Sequence, residues 1–211
     1  MAPRVSTEYE QRQRERILQA AVTRFSEKGF HRTTIQDVCD AAELSKGALY
    51  LYFKSKEDLL AAVVEQSIAD SLRQAQEAAR GGGSALEKLD RIAAVILERL
   101  DSSEVCAQSP QLLLEMWAEA SKNPQVNGLY ARGYQQWRAF LADLLRDGIA
   151  EGVLKPWLDP EALAEILVAV FDGLSLQEGI TRTKIEWRII AETLRRGLGE
   201  GMVVTATDKG G

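Results

Sequence analysis

Few of the side chains in this 211-residue chain could do covalent or metal chemistry. There is one histidine, His31, and the two cysteines, Cys39 and Cys106, stand in unrelated segments, as reduced thiols do. No HExxH, Glu-x-x-His or CxxC spacing occurs. A protein-ligated zinc site and a histidine-based triad therefore both lack their parts, and no catalytic residue, metal ligand or cofactor is assigned. What remains is the chemistry that phosphates and base edges take. Thr34, Ser45, Lys46, Gly47, Tyr50, Tyr52, Lys54 and Lys56 fall within 23 residues of one another, with Arg12 ahead of them. Cationic side chains neutralise phosphate, hydroxyls donate to its oxygens, and a glycine lets a backbone come close.

Charge is divided the same way. The formal net charge is −5, which argues against a chain that coats nucleic acid throughout. Residues 1–56 nonetheless carry ten Lys and Arg against seven Asp and Glu, and the remainder carries 16 against 24. A basic N-terminal module on an acidic body suits a protein that touches phosphate at one end only.

Presenting those groups requires short helices in a fixed relation. Thr33 and Thr34 can each cap a helix, with Gln36 or Asp37 three residues on, and Ile35, Val38, Cys39 and Ala42 form its inward stripe. Glu43 and Leu44 make a turn and Ser45 caps the next helix, in which Leu49 and Phe53 face inward while Lys46, Gly47, Tyr50 and Lys54 face out. Gly47 costs that helix roughly 1 kcal/mol relative to alanine, so a close approach to a base edge or backbone is the reason to keep it. Ahead lies a helix over 8–28 with Ile17, Ala21, Val22 and Phe25 inside and Gly29 as its stop. Arg12 and Arg16 share its outer face. Ser55 to Asp58 open a long helix to about Arg80, ended by Gly81, Gly82 and Gly83, and Lys56 in its first turn is a cation where an incoming phosphate would relieve the dipole. Two short helices joined by a tight turn are the layout of a helix-turn-helix, whose second helix enters the DNA major groove.

The run GFHRTTIQDVCDAAELSKGALYLYFKSKEDLL resembles the DNA-binding module of the TetR family of one-component bacterial transcriptional regulators, typically repressors. The likeness spans roughly residues 10–65. It implies that Thr34, Lys46, Tyr50, Tyr52 and Lys56 contact phosphates or base edges, and that Ile35, Val38, Leu49 and Phe53 hold the module together. In one respect the chain departs from the pattern: the family usually has glycine in the turn where this sequence has Glu43. A left-handed backbone there would strain a non-glycine residue by about 1 kcal/mol or more.

Beyond residue 84 the pattern stays helical, which makes the chain all-α: an N-terminal three-helix DNA-binding domain over 1–54, a helical effector-binding and dimerisation domain over 55–202, and a disordered tail over 203–211. Periodic apolar residues mark helices over 84–101, 109–121 and 124–150. An aromatic stripe is more often plain core than a ligand box. The resemblance, which in this half is to the choline-regulator type, implies an apolar effector cavity and makes Met116, Trp117, Tyr134, Trp137 and Phe171 its candidates. Glu115 and Glu119 fall on the polar face of their helix, so a cationic effector does not follow from them. Residues 160–180 and 184–198 are apolar on two sides and must be buried on both. Two such helices fit a four-helix interface with a second copy, with Leu174, Trp187, Ile190 and Leu194 in it.

The function expected is a ligand-responsive repressor that binds a pseudo-palindromic operator in double-stranded DNA as a homodimer and is released by an apolar or amphipathic small molecule. An activator of the same fold is the alternative, and a helical protein-interaction module without DNA binding a more distant one. With no signal peptide pattern and no run of about 18 apolar residues, a bacterial cytoplasmic protein is expected.

Overall fold

The computed structural model describes residues 7–101 and 110–193. Leu194, Cys106 and the segment 203–211 lie outside them. Among the described residues the helices follow in order: α1 (Thr7–Lys28), α2 (Ile35–Ala42), α3 (Lys46–Tyr50), α4 (Lys56–Ala79), α5 (Ala85–Asp101), α6 (Pro110–Ala120), α7 (Pro124–Ala150) and α8 (Pro160–Thr181). Residues 187–193 are helical as well, and no strand occurs among the described residues. No described helix is long and apolar enough to cross a membrane.

The starts of α2, α3, α4 and α8 carry the caps that their sequences offer. Thr34, not Thr33, caps α2: its hydroxyl accepts from Asp37 N at 3.1 Å, and the Asp37 carboxylate accepts from Thr34 N at 2.8 Å. Thr33 is buried instead, its hydroxyl reaching Gly29 O at 2.8 Å and Arg24 O at 3.0 Å. Ser45 accepts from Ala48 N to open α3, and Ser55 accepts from Asp58 N to open α4. At α8, Asp159 accepts from Ala162 N, with Pro160 supplying the pre-set φ of a first helical residue.

The chain forms two compact units that do not follow its linear order. The first comprises residues 1–67 and 105–130, the second 68–104 and 131–211. In the first, Ile17, Leu18, Ala21 and Phe25 of α1 join Val38, Cys39 and Ala42 of α2, Leu49 and Phe53 around α3, and Leu59 to Val64 of α4 in a core at most 8 % exposed. Leu112 and Met116 of α6 and Val126 are buried in the same unit. In the second, Leu141, Ala142 and Leu145 of α7 pack with Leu154, Leu158, and Leu163 and Ala164 of α8. Gly148 sits where an added Cβ would meet Leu154 Cδ1 at 2.7 Å, which is how α7 and the segment after it come so close.

Candidate nucleic-acid interface

The turn between α2 and α3 is left-handed. Glu43 has φ 51° and ψ 46°, and its N–H closes α2 onto Asp40 O and Cys39 O. The family's glycine position is thus occupied here by a residue that bears the strain, while its carboxylate pairs with Arg16 of α1 at 2.5 Å. That pair is exposed and worth at most about 1 kcal/mol, comparable to the strain.

Behind the turn, Val38, Cys39, Ala42 and Leu49 are fully buried, which fixes α3 against α2. Ile35 is only half-buried. The outer face of α3 carries Lys46, Gly47 and Tyr50, all exposed, with Tyr50 at 49 %. A methyl group on Gly47 would meet only the Ser45 hydroxyl, at 3.9 Å, so nothing among the described residues requires glycine there. Tyr52 is half-buried, whereas Lys54, Arg12 and Thr34 are exposed. The Lys28 ammonium approaches Asp37 Oδ1 at 2.5 Å. This pairing, together with the Thr34 N–H and hydroxyl, holds the Asp37 carboxyl well below the usual carboxylate range.

Lys56 is placed differently from its neighbours. Its ammonium donates to Phe30 O at 3.0 Å, Thr33 O at 3.1 Å and His31 O at 3.2 Å, and lies 4.5 Å from the centre of the Phe30 ring. All three donors of a lysine therefore end on the corner between α1 and α2. Glu115 also departs from the polar-face reading of its helix: Oε2 accepts from Phe30 N at 2.5 Å. Nothing in the spacing of either residue signals these partners, which lie 26 and 85 positions away.

The effector candidates divide between the units. Met116 and Trp117 belong to the first, and Met116 is 3 % exposed. The Trp117 indole N–H is buried with no partner among the described residues. Tyr134, Trp137 and Phe171 belong to the second, where Trp137 stacks edge-on with Phe140 and Phe171 packs on Trp187 at 5.5 Å. A carboxylate that sequence reasoning passed over, Asp172, stands beside Tyr134. Burial pushes its carboxyl up, against the opposing pull of the Tyr134 hydrogen bond and the Arg138 charge. Arg138 in turn pairs with Glu165 at 2.8 Å. Ser175, one turn on from Phe171, is 4 % exposed, and its hydroxyl has no partner among the described residues.

Of the interface candidates, Trp187 is only 8 % exposed and its indole donates to Glu178 Oε2 at 3.1 Å. Leu174 and Ile190 are half-buried. Among the described residues from α8 onward, the large apolar side chains left open are Ile166 at 55 %, Leu176 at 36 %, Ile180 at 63 % and Ile189 at 63 %; Leu51 and Trp157 are exposed elsewhere.

A capped helix pair with a left-handed turn, a buried inner stripe and a cationic, tyrosine-bearing outer face defines a helix-turn-helix DNA-binding protein. Residues 17–63 match the model of bacterial regulatory proteins of the tetR family, and residues 88–199 match that of the BetI-type transcriptional repressor C-terminal domain. The chain belongs to the TetR family of bacterial transcriptional regulators. Among relatives, the HTH-type transcriptional repressor KstR2 of Mycolicibacterium smegmatis is 30 % identical over 146 residues, covering 69 % of each chain. The HTH-type transcriptional regulator UidR of Escherichia coli is 29 % identical over 161 residues, 76 % of this chain and 79 % of that one. A Saccharomonospora viridis transcriptional regulator solved in complex with choline has the same fold, at TM-score 0.78 and 22 % identity over 92 % of this chain and all of that one.

Proposed function

We propose that the protein is a ligand-responsive repressor that binds a pseudo-palindromic operator as a homodimer and leaves it when a small molecule binds. In this reading residues 1–54 are the DNA-reading part, 55–202 supply ligand binding and dimerisation, and the protein works in the bacterial cytoplasm. Each copy places α3 in a major groove, the two grooves about 34–36 Å apart or at a related spacing. Lys46, Tyr50 and Tyr52 meet phosphates or base edges, Lys54, Arg12 and Thr34 the flanking backbone, and Ser45 fixes the start of the helix. The single observation that carries the reading is Gly47, an exposed helical glycine that the chain itself does not need.

The effector contacts are assigned to Tyr134, Trp137 and Phe171. Met116 reads as core of the first unit, and no contact is assigned to it or to Trp117. An amphipathic effector suits this aromatic set, and Asp172 beside Tyr134 adds a place for a positive charge, the property of the choline held by the Saccharomonospora viridis relative. The effector lowers DNA affinity through its different affinities for two conformations, and DNA lowers effector affinity by the same factor.

The test is an operator selected from random DNA, followed by gel-shift titration. Tyr50→Ala and Lys46→Ala are expected to weaken binding at least tenfold with the fold intact. Unchanged affinity in both would remove α3 from the interface. A reporter strain then gives the sign of regulation, and a fall in expression on deletion of the protein would make it an activator.

A further inference from the structure

The corner between α1 and α2 is gripped from two sides by charges of opposite sign. Gly29 ends α1 with φ 79°, and a Cβ there would lie 2.5 Å from Glu115 Oε1. The next residue, Phe30, is 3 % exposed, packs edge-on against Phe25 at 5.3 Å and donates its N–H to Glu115 Oε2. From the other side Lys56, in the first turn of α4, collects the carbonyls of Phe30, His31 and Thr33. The chain leaves this corner directly into Thr34 and α2, so the corner sets the direction in which α2, and α3 behind it, emerge.

We propose that Glu115 is a positioning residue for DNA binding: its carboxylate on α6, acting with Lys56 on α4, seats the α1–α2 corner and so aims the recognition helix. The inference rests on the reading of α3 as the DNA-contacting helix. A carboxylate on a backbone N–H makes a charge-assisted bond of about twice the ordinary strength, and this one joins residues far apart in sequence, so α6 holds the corner at one defined point. α6 also runs through Asn123 and Pro124 into α7, whose residues from 131 onward belong to the second unit. A movement that drew α6 back would open the Phe30 bond and release the corner without touching any residue that meets DNA.

The experiment uses the full-length protein and gel-shift titration on the selected operator at several salt concentrations, with Tyr50→Ala and Lys46→Ala in parallel. Folded fraction is measured by circular dichroism, and active fraction by stoichiometric titration. Glu115→Ala is expected to lower operator affinity tenfold or more with an unchanged dependence of log K on log salt, because no phosphate contact is lost. Lys46→Ala flattens that dependence by about one ion. Glu115→Gln, whose amide oxygen still accepts from Phe30 N, should return affinity to within about threefold of the natural protein, and the Phe30 amide should exchange faster with solvent in the Ala variant alone. If Glu115→Ala fails to fold, Glu115→Asp takes its place, one methylene too short to reach. Affinity within twofold of the natural protein for a folded Ala or Asp variant overturns the proposal, as does failure of Gln to restore it. If the Tyr50 and Lys46 variants lose affinity while the Glu115 variants do not, the inference alone fails; if none of them does, the reading of α3 fails.

Discussion

Gly47 and Glu43 are both exceptions to the local preferences of their elements, and they differ in kind. Glycine inside α3 sacrifices roughly 1 kcal/mol of helix stability while filling no space that a methyl group could not fill. Gly47→Ala is therefore expected to raise the thermal midpoint by about 2–4 °C and to lower operator affinity at least tenfold, as calorimetry and gel shift would measure. A stabler protein with full affinity would mean that α3 does not approach DNA at that point. The rise in stability is the informative half, because it separates a lost contact from a damaged fold. Glu43 is strained by its own backbone, and it recovers part of that strain through Arg16. Its left-handed conformation follows from the closing bonds to Asp40 O and Cys39 O, a geometry that the departure from glycine had put in question.

At the scale of elements, the helix boundaries and inner stripes were legible because they are local: caps at Thr34, Ser45 and Ser55, the glycine stop at Gly29, and the stripe from Val38 to Ala42 all depend on neighbours within a few positions. Charge partners across elements were not. Lys56 looked like a phosphate ligand from its place in the first turn of α4, yet its three bonds go back to the α1–α2 corner. Glu115 looked solvated from its helical face. The Lys28–Asp37 pair likewise joins two elements, and it carries a pH signature. The Asp37 carboxyl is held below its ordinary value near 3.8, so the native state binds this proton less tightly than the unfolded chain does. The stability it contributes is whole above that value and is lost as pH falls below it toward the folded pKa. Urea titrations of the natural protein and Asp37→Asn from pH 7 to pH 3 should therefore start apart, with the natural protein the more stable, and draw together below about pH 4. A gap that stayed constant to pH 3 would remove the pairing as its cause.

For the whole molecule the question is which surface would hold the second copy of the proposed homodimer. Two apolar faces on α8 told the sequence that both must be covered, but periodicity does not say which is covered from within. Ser175, Ala164 and Leu163 face the core of the chain, and Trp187 closes over Phe171. The opposite face runs Ile166, Ala169, Gly173, Leu176, Ile180 at alternating steps of three and four, the spacing of a helix–helix seam. Three of these residues are large and open to solvent, and among the described residues an added Cβ on Gly173 would meet nothing within 4 Å. Ile180→Glu places a charge at the C-terminal end of that seam while leaving the interior alone. It should give monomers with unchanged helical content, because a carboxylate excluded from water with no partner is far costlier than an exposed isoleucine. Trp187→Glu should instead lower the thermal midpoint or abolish folding, since it empties an interior position and strands Glu178. Light scattering and circular dichroism on the two variants separate the cases. If Ile180→Glu stays dimeric, the seam is not the interface, and the two recognition helices must be held at their spacing by some other surface.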